Sequence, residues 1–200
     1  MITGHGLPEK PGADPTNSYA LDPQGRYLLA AHHCFSPHQG PRPEGEQVSL
    51  LVVHNITLPA GLFGAPFIHQ LFLGCVQPQL PGLEEVVGLE VSAHLLIRRD
   101  GSMVQYVPFD RRAWHAGVSE FEGRSGCNDF SIGIELEGGD HIPYENAQYQ
   151  ALAGVTKSLM EQYPMLTRSR IAGHSDIAPG RKTDPGPAFD WDDFYRLLDD

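Results

Sequence analysis

The run Ser49-Leu50-Leu51-Val52-Val53-His54-Asn55 constrains the fold more than any other part of the chain. A continuous apolar run with β-branched members, bounded by polar residues, is the pattern of a strand buried on both faces. His54 closes the run and so sits at the end of a sheet, where it is either a hydrogen-bonded structural histidine or a ligand. A second strand is predicted over Phe130–Gly138, where alternation puts Ile132, Ile134 and Leu136 on one face and Gly133, Glu135 and Glu137 on the other. The two acids then point the same way. On an edge strand they face solvent; on a central strand they need a partner, which a cation site supplies.

The stretch from Gly173 to Pro187 has the composition of a site: His174, Asp184 ten positions on, and Lys182 two before that aspartate. It is too rich in Gly and Pro for a helix or a central strand, so a loop is expected, entered from a short strand over 170–174. A helix is predicted over 143–163, with Leu152, Val155, Thr156, Leu159, Met160 and Tyr163 recurring at three and four and Pro164 stopping it. A final amphipathic helix spans 191–198 with Asp190 as N-cap. Phe63, Phe67, Leu71 and Phe72 mark one face of a helix over 63–73. Runs over 90–97 and 103–107 around Asp100-Gly101 read as a hairpin, with His94 opposite Ala93 and Leu95. Trp114-His115 lines a pocket or packs at its edge. Residues 1 to about 47 are dense in Pro, Gly and polar residues. Within them Tyr27–Ala31 is a peripheral strand or an anchoring turn, and His32-His33-Cys34 diverges too much on an extended chain to gather on a metal. We expect an N-terminal arm over residues 1–35 on the surface of one domain over 36–200.

Two hundred residues are enough for one domain with a sizeable core, and a formal charge of −11 argues against nucleic-acid or anionic-membrane partners. Three cysteines without a Cys-x-x-Cys pair indicate a reducing compartment. The first ten residues lack the basic start and apolar run of a secretory signal, and no eighteen-residue apolar stretch occurs. The expected protein is soluble and cytoplasmic.

His54, His174 and Asp184 form a donor set that Zn²⁺ accepts, and three ligands leave a fourth position for water. Such a water, acidified toward about pKa 7, hydrolyses amides or esters. A carboxylate near that water would move its proton, a role open to Glu135, and a cation near the carbonyl oxygen would stabilise the oxyanion, a role open to Lys182. There is no His-Glu-x-x-His helix.

Five segments in order carry a specific resemblance: Leu51–Asn55; Val91–His94 with Arg99-Asp100-Gly101; Trp114–Ser119; Asn128–Gly138; and Gly173-His174 through Lys182–Gly186. Together they resemble the zinc N-acetylmuramoyl-L-alanine amidases of the AmpD type, from about Ser36 to Leu198. The resemblance implies an α/β domain with a central mixed β-sheet flanked by helices, the fold of phage amidase lysozymes and peptidoglycan-recognition proteins. It implies one zinc per chain on His54, His174 and Asp184, with Glu135 and Lys182 catalytic. The implied reaction cleaves the amide between the lactyl group of 1,6-anhydro-N-acetylmuramic acid and L-alanine in muropeptides, during cytoplasmic cell-wall recycling, by a monomer. Asn55, His94, His115 and Arg124 are the expected substrate-binding residues. Some relatives carry Arg where Glu90 and Gly126 stand here, and phage and animal members carry Tyr where Ala93 stands. Two other classes remain: a peptidoglycan-binding module without catalysis, and a cysteine hydrolase using Cys127 with His115.

Overall fold

In the computed structural model, which describes residues 18–77 and 81–200, Leu50, Leu51, Val52, Val53 and His54 are all buried in one strand. Its neighbours make it an inner member of a six-stranded sheet. In chain order the strands are β1 (His32–His33), β2 (Leu50–Ile56), β3 (Leu95–Ile97), β4 (Met103–Gln105), β5 (Ser131–Glu137) and β6 (Ile171–Gly173). They lie side by side as β1-β4-β3-β5-β2-β6. Only β3 and β4 pair antiparallel, as the hairpin around Asp100-Gly101; every other pair is parallel, so the sheet is mixed.

Alternation along β5 sorts the two faces. Ile132, Ile134 and Leu136 join Leu51 and Val53 of β2 and Leu95 and Ile97 of β3 in one apolar cluster. This cluster is covered by α2 (Asn146–Gln162) through Leu152, Val155 and Leu159, and by α4 (Trp191–Asp199) through Phe194 and Leu198. Asp190 caps α4 as expected, its Oδ1 accepting from Asp193 N at 3.0 Å. The start of α2 is tied to the sheet by Gln148 Nε2, which donates to Glu137 O at 3.0 Å and Ile97 O at 3.3 Å. Leu152 is fully buried in this cluster. Leu152→Ala is expected to cost about 2–5 kcal/mol in chemical denaturation, because the rigid layers collapse only partly onto the void.

The opposite face is covered in two separate patches. One gathers Leu96 of β3, Val104 of β4 and Tyr106 under α1 (Phe67–Phe72). The other gathers Leu50 and Val52 of β2 and Ala172 of β6 with Ala116, Cys127, Phe130 and Ile177. Between them runs the second face of β5, which offers Ser131, Gly133, Glu135 and Glu137 to the interior. Both acids are buried, so the solvent-facing alternative for that strand does not hold. Glu137 accepts from Gly64 N at 2.6 Å and Arg99 N at 3.3 Å.

Several expected boundaries shift. The helix predicted over 63–73 begins only at Phe67. Gly64 has a left-handed backbone and is pinned to Glu137, and Ala65, preceding Pro66, is steered away from helical geometry. The strand predicted from residue 90 starts at Leu95, because Ser92 is diverted to Trp114 O through its amide and to His38 O through its hydroxyl. The chain bends at His94, so Ala93 and Leu95 fall into different clusters instead of sharing a face. The first part of the Gly/Pro-rich stretch is one helical turn, α3 (His174–Ile177), where a loop was expected. Residues 1–17 of the expected arm lie outside the described residues. Its later part anchors to the domain by a turn in which Leu28 is fully buried, and His32 and His33 are exposed.

Candidate metal centre

Parallel pairing brings together residues far apart in the chain. His54 is in register with Glu135 on β5, and Val53 with Gly173 on β6, so His174 follows β6 where His54 follows Val53 on β2. Glu135, His54 and His174 thus form one row at the carboxyl ends of three adjacent parallel strands, where open α/β sheets bind their ligands. Asp184 reaches the same point from the segment after α3. Its carbonyl accepts from Ser175 N at 2.9 Å, and Pro185 O accepts from Asn55 Nδ2 at 3.0 Å and Tyr144 OH at 2.8 Å. Gly186 allows the close turn: at its φ of +79° an added Cβ would stand 2.3 Å from Asp140 Cα.

His54 Nδ1, His174 Nδ1 and Asp184 Oδ2 are each 3.0 Å from the other two. Three donor atoms on a tetrahedral zinc, with bonds of about 2.0–2.1 Å, stand roughly 3.3 Å apart, so a slight expansion of the triangle accepts the ion. The protonation states fit as well. His174 Nε2 lies 3.1 Å from Ala116 O, which only accepts, so that nitrogen carries the proton and Nδ1 keeps its lone pair. Burial pushes His54 down to about 4, against the raising influence of the Asp184 carboxylate, so the ring is neutral at pH 7. Burial acts to raise Asp184, but its contacts with His174 and His54 outweigh it and hold the carboxyl well below its usual range. A neutral imidazole beside a carboxylate is not an ion pair; it is a ligand set, and the nitrogen and oxygen donors suit zinc.

Glu135 is buried beside this cluster, and its Oε2 has no hydrogen-bond partner among the described residues. Burial, then repulsion from Asp184, raises its carboxyl well above the ordinary value, with Lys182 opposing. Lys182 is exposed, its amide donating to Ala178 O at 3.1 Å, and no carboxylate of the described residues pairs with it. Its neighbour Arg181 clamps the loop opposite, donating to Val118 O at 2.7 Å and to Ala116 O at 2.5 Å. A cleft of about 390 Å³ opens beside Arg181, between Gly117–Glu120, Ser125-Gly126 and Ile177–Pro179; His54, Glu135, His174, Lys182 and Asp184 are not part of its lining.

The four residues expected to contact substrate are placed differently from one another. His94 is fully buried and does not reach the cleft; its Nδ1 accepts from Gly133 N at 3.0 Å and its Nε2 donates to Arg111 O at 3.0 Å. Asn55 Nδ2 is spent on Pro185 O and, at 2.8 Å, on Asp140 Oδ1. His115 turns inward against His54 and Ser131. Arg124 pairs with Glu46 and stacks on Phe130, its guanidinium 4.1 Å from the ring centroid. The cysteine alternative fares worse. Cys127 is fully buried, burial pushes its thiol up, and both ring nitrogens of His115 are engaged elsewhere.

Sequence reasoning missed Arg42. Its buried guanidinium donates to Phe109 O at 3.0 Å and to Asp129 O and Ser131 O at 2.9 Å, and burial lowers it to about 10. A lone arginine between two prolines carries no periodic signal. Its carbonyl partners come from two later segments, at Phe109 and around Asp129 and Ser131, that only the fold assembles.

The profile described as N-acetylmuramoyl-L-alanine amidase matches residues 44–187. The 1,6-anhydro-N-acetylmuramyl-L-alanine amidase AmpD of Escherichia coli (strain K12) is 59% identical over 173 residues, covering 86% of this chain and 94% of that protein. The crystal structure of a Se-Met AmpD derivative superposes with a TM-score of 0.85 at 56% identity, covering 89% of this chain and 98% of that one. The amidase AmiD from E. coli, solved in complex with the substrate anhydro-N-acetylmuramic acid-L-Ala-D-gamma-Glu-L-Lys, gives 0.58 at 27% identity, over 90% of this chain and 65% of that one.

Proposed function

The chain belongs to the N-acetylmuramoyl-L-alanine amidase family, and on that premise we propose that it is a zinc enzyme that cleaves 1,6-anhydro-muropeptides between the lactyl carbonyl and L-alanine. The observation that carries the reading is the row of Glu135, His54 and His174 with Asp184 closing a 3.0 Å triangle beside an unpartnered buried carboxylate. The anhydro sugar is supported by a relative named for that substrate and matched over 94% of its length, and by the AmiD complex with an anhydro-muramyl tripeptide. All the groups the reaction needs come from one chain, which supports action as a monomer. Three free cysteines support a reducing cytoplasm, where recycled wall fragments are processed. None of the described helices is long and apolar enough to cross a membrane, and the net charge of −11 disfavours a polyanionic partner.

His54, His174 and Asp184 would hold the ion. Zinc, when bound, polarises the amide carbonyl and acidifies water, making hydroxide accessible near neutral pH. Glu135 takes the proton of the attacking water on Oε2 and returns it to the alanine nitrogen as the C–N bond breaks; the second water proton passes from the new carboxyl group to the amine, leaving a lactyl carboxylate and an ammonium group. Lys182, near enough to act electrostatically on both His54 and Glu135, holds the negative charge that develops on the carbonyl oxygen.

Incubation of zinc-loaded protein with a 1,6-anhydro-muropeptide, followed by mass spectrometry, is expected to yield free anhydro-muramic acid and intact stem peptide. A chelator stops the reaction and added zinc restores it, while a thiol reagent leaves it unchanged. Cleavage within the peptide, or turnover that survives metal removal, would overturn the reading.

A further inference from the structure

His115 lies behind the metal cluster, and its surroundings are built to hold it there. Its Nδ1 is 2.9 Å from His54 Nε2, and its Nε2 is 3.1 Å from Ser131 Oγ. The two imidazoles meet edge-on, with centroids 5.0 Å apart. The backbone on either side of the ring is pinned, since Asn128 Oδ1 accepts from His115 N at 3.1 Å and Ala116 N at 2.8 Å. The ring rests on Gly133, where an added Cβ would stand 2.4 Å from His115 Cγ and 2.5 Å from Nδ1. Gly133 therefore explains itself: a glycine in the middle of β5 weakens a strand and marks a close approach by another group. Ser131 and Gly133 share a face of β5 with Glu135, so one face of one strand carries the anchor, the slot and the carboxylate.

We propose that His115 is a positioning residue which, with Ser131, fixes the tautomer of His54. Proton bookkeeping decides the direction of the chain. If His54 Nδ1 is to offer a lone pair beside His174 and Asp184, its proton sits on Nε2 and is donated to His115 Nδ1. His115 then carries its own proton on Nε2 and donates it to Ser131 Oγ. The reverse orientation puts a proton on His54 Nδ1 and closes the metal position. Ser131 suits this direction, because its hydroxyl can accept from His115 Nε2 at 3.1 Å; what selects it is the lone pair that His54 Nδ1 must offer a metal. A ligating histidine whose second nitrogen is held in this way has its ring orientation fixed and its basicity raised.

The inference rests on the zinc reading above, and equilibrium zinc affinity, measured by competition with a chelator, separates the two. Wild-type protein without zinc affinity would sink both. Given wild-type binding, His115→Phe keeps a ring on Gly133 but has no acceptor, and is expected to weaken zinc by about 10–100-fold, the usual effect of losing such a support. His115→Asn places an amide oxygen near the lost Nδ1 and recovers part of that affinity. Ser131→Ala weakens zinc in the same direction, and the His115→Phe/Ser131→Ala pair is no weaker than His115→Phe alone, because both changes cut one chain. Wild-type zinc affinity in a folded His115→Phe protein would overturn the proposal, as would multiplicative effects in the pair. A rise in KM alone would also do so, since it would mark His115 as a substrate contact.

Discussion

The Asp184→Ala variant is expected to lose zinc and amidase activity together while keeping its fold. Asp184 supplies the one anionic donor of the triangle, and its carboxyl is held ionised by the two imidazoles. Without it, His54 and His174 present two neutral nitrogens 3.0 Å apart and nothing to balance a divalent charge. The loss of affinity should exceed the roughly 10–100-fold that removing an outer support costs, because a direct ligand is gone. Stability gives an independent readout. Zinc at a hundred times its dissociation constant stabilises a native site by about 2.7 kcal/mol, so wild-type protein gains thermal stability on loading and the variant gains none. The fold itself should survive. The loop is held by the Asp184 and Pro185 carbonyls, which the substitution leaves in place, and by Asn55 and Tyr144. A variant that still shifts on zinc addition, or still cleaves muropeptide, would remove Asp184 from the ligand set.

The parts of this architecture that repeat along the chain were readable from it; the parts made by long-range contacts were not. The apolar run ending at His54, the alternation through β5 and the three-four spacing of α2 are local patterns of burial, and each became the element it predicted. His54, Glu135 and His174 were legible as residues at strand ends. That they form one row follows only from the register of β2 with β5 and β6, which no local pattern encodes. The supports around them were harder still. Arg42 sits in a Pro-rich segment and acts on carbonyls of Phe109, Asp129 and Ser131, while Tyr144 and Asp140 act through Pro185 and Asn55. Histidines read as substrate contacts turned inward for the same reason: a polar ring marks a site but not which of its nitrogens the fold consumes. The late start of α1 is a case of tertiary override, since the apolar stripe runs back to Phe63 but the Gly64 contact with Glu137 takes that residue out of the helix.

Glu135→Gln is expected to leave zinc bound and to lower kcat by about 10²–10⁴-fold, the usual contribution of a positioned proton carrier. The substitution is isosteric, so the row of side chains along β5 and β2 keeps its packing while the group that accepts a proton disappears. Burial is what makes this carboxylate a useful base. It disfavours the charged form, repulsion from Asp184 adds to that, and Lys182 only partly offsets it, so the carboxyl titrates above the ordinary carboxylate value. A base needs its ionised form. The activity it supports is therefore present above that raised value and falls as pH drops through it, earlier than for a solvent-exposed glutamate. A cation at the neighbouring cluster pulls the value back down, so in the zinc-loaded enzyme the fall comes at a lower pH than burial alone would set. In Glu135→Gln the residual rate no longer follows that titration, while zinc affinity and the thermal shift on loading stay at wild-type levels. A variant with near-normal kcat would transfer the proton step to another group, and one that also lost zinc would show that Glu135 holds the ligands in place instead of moving protons.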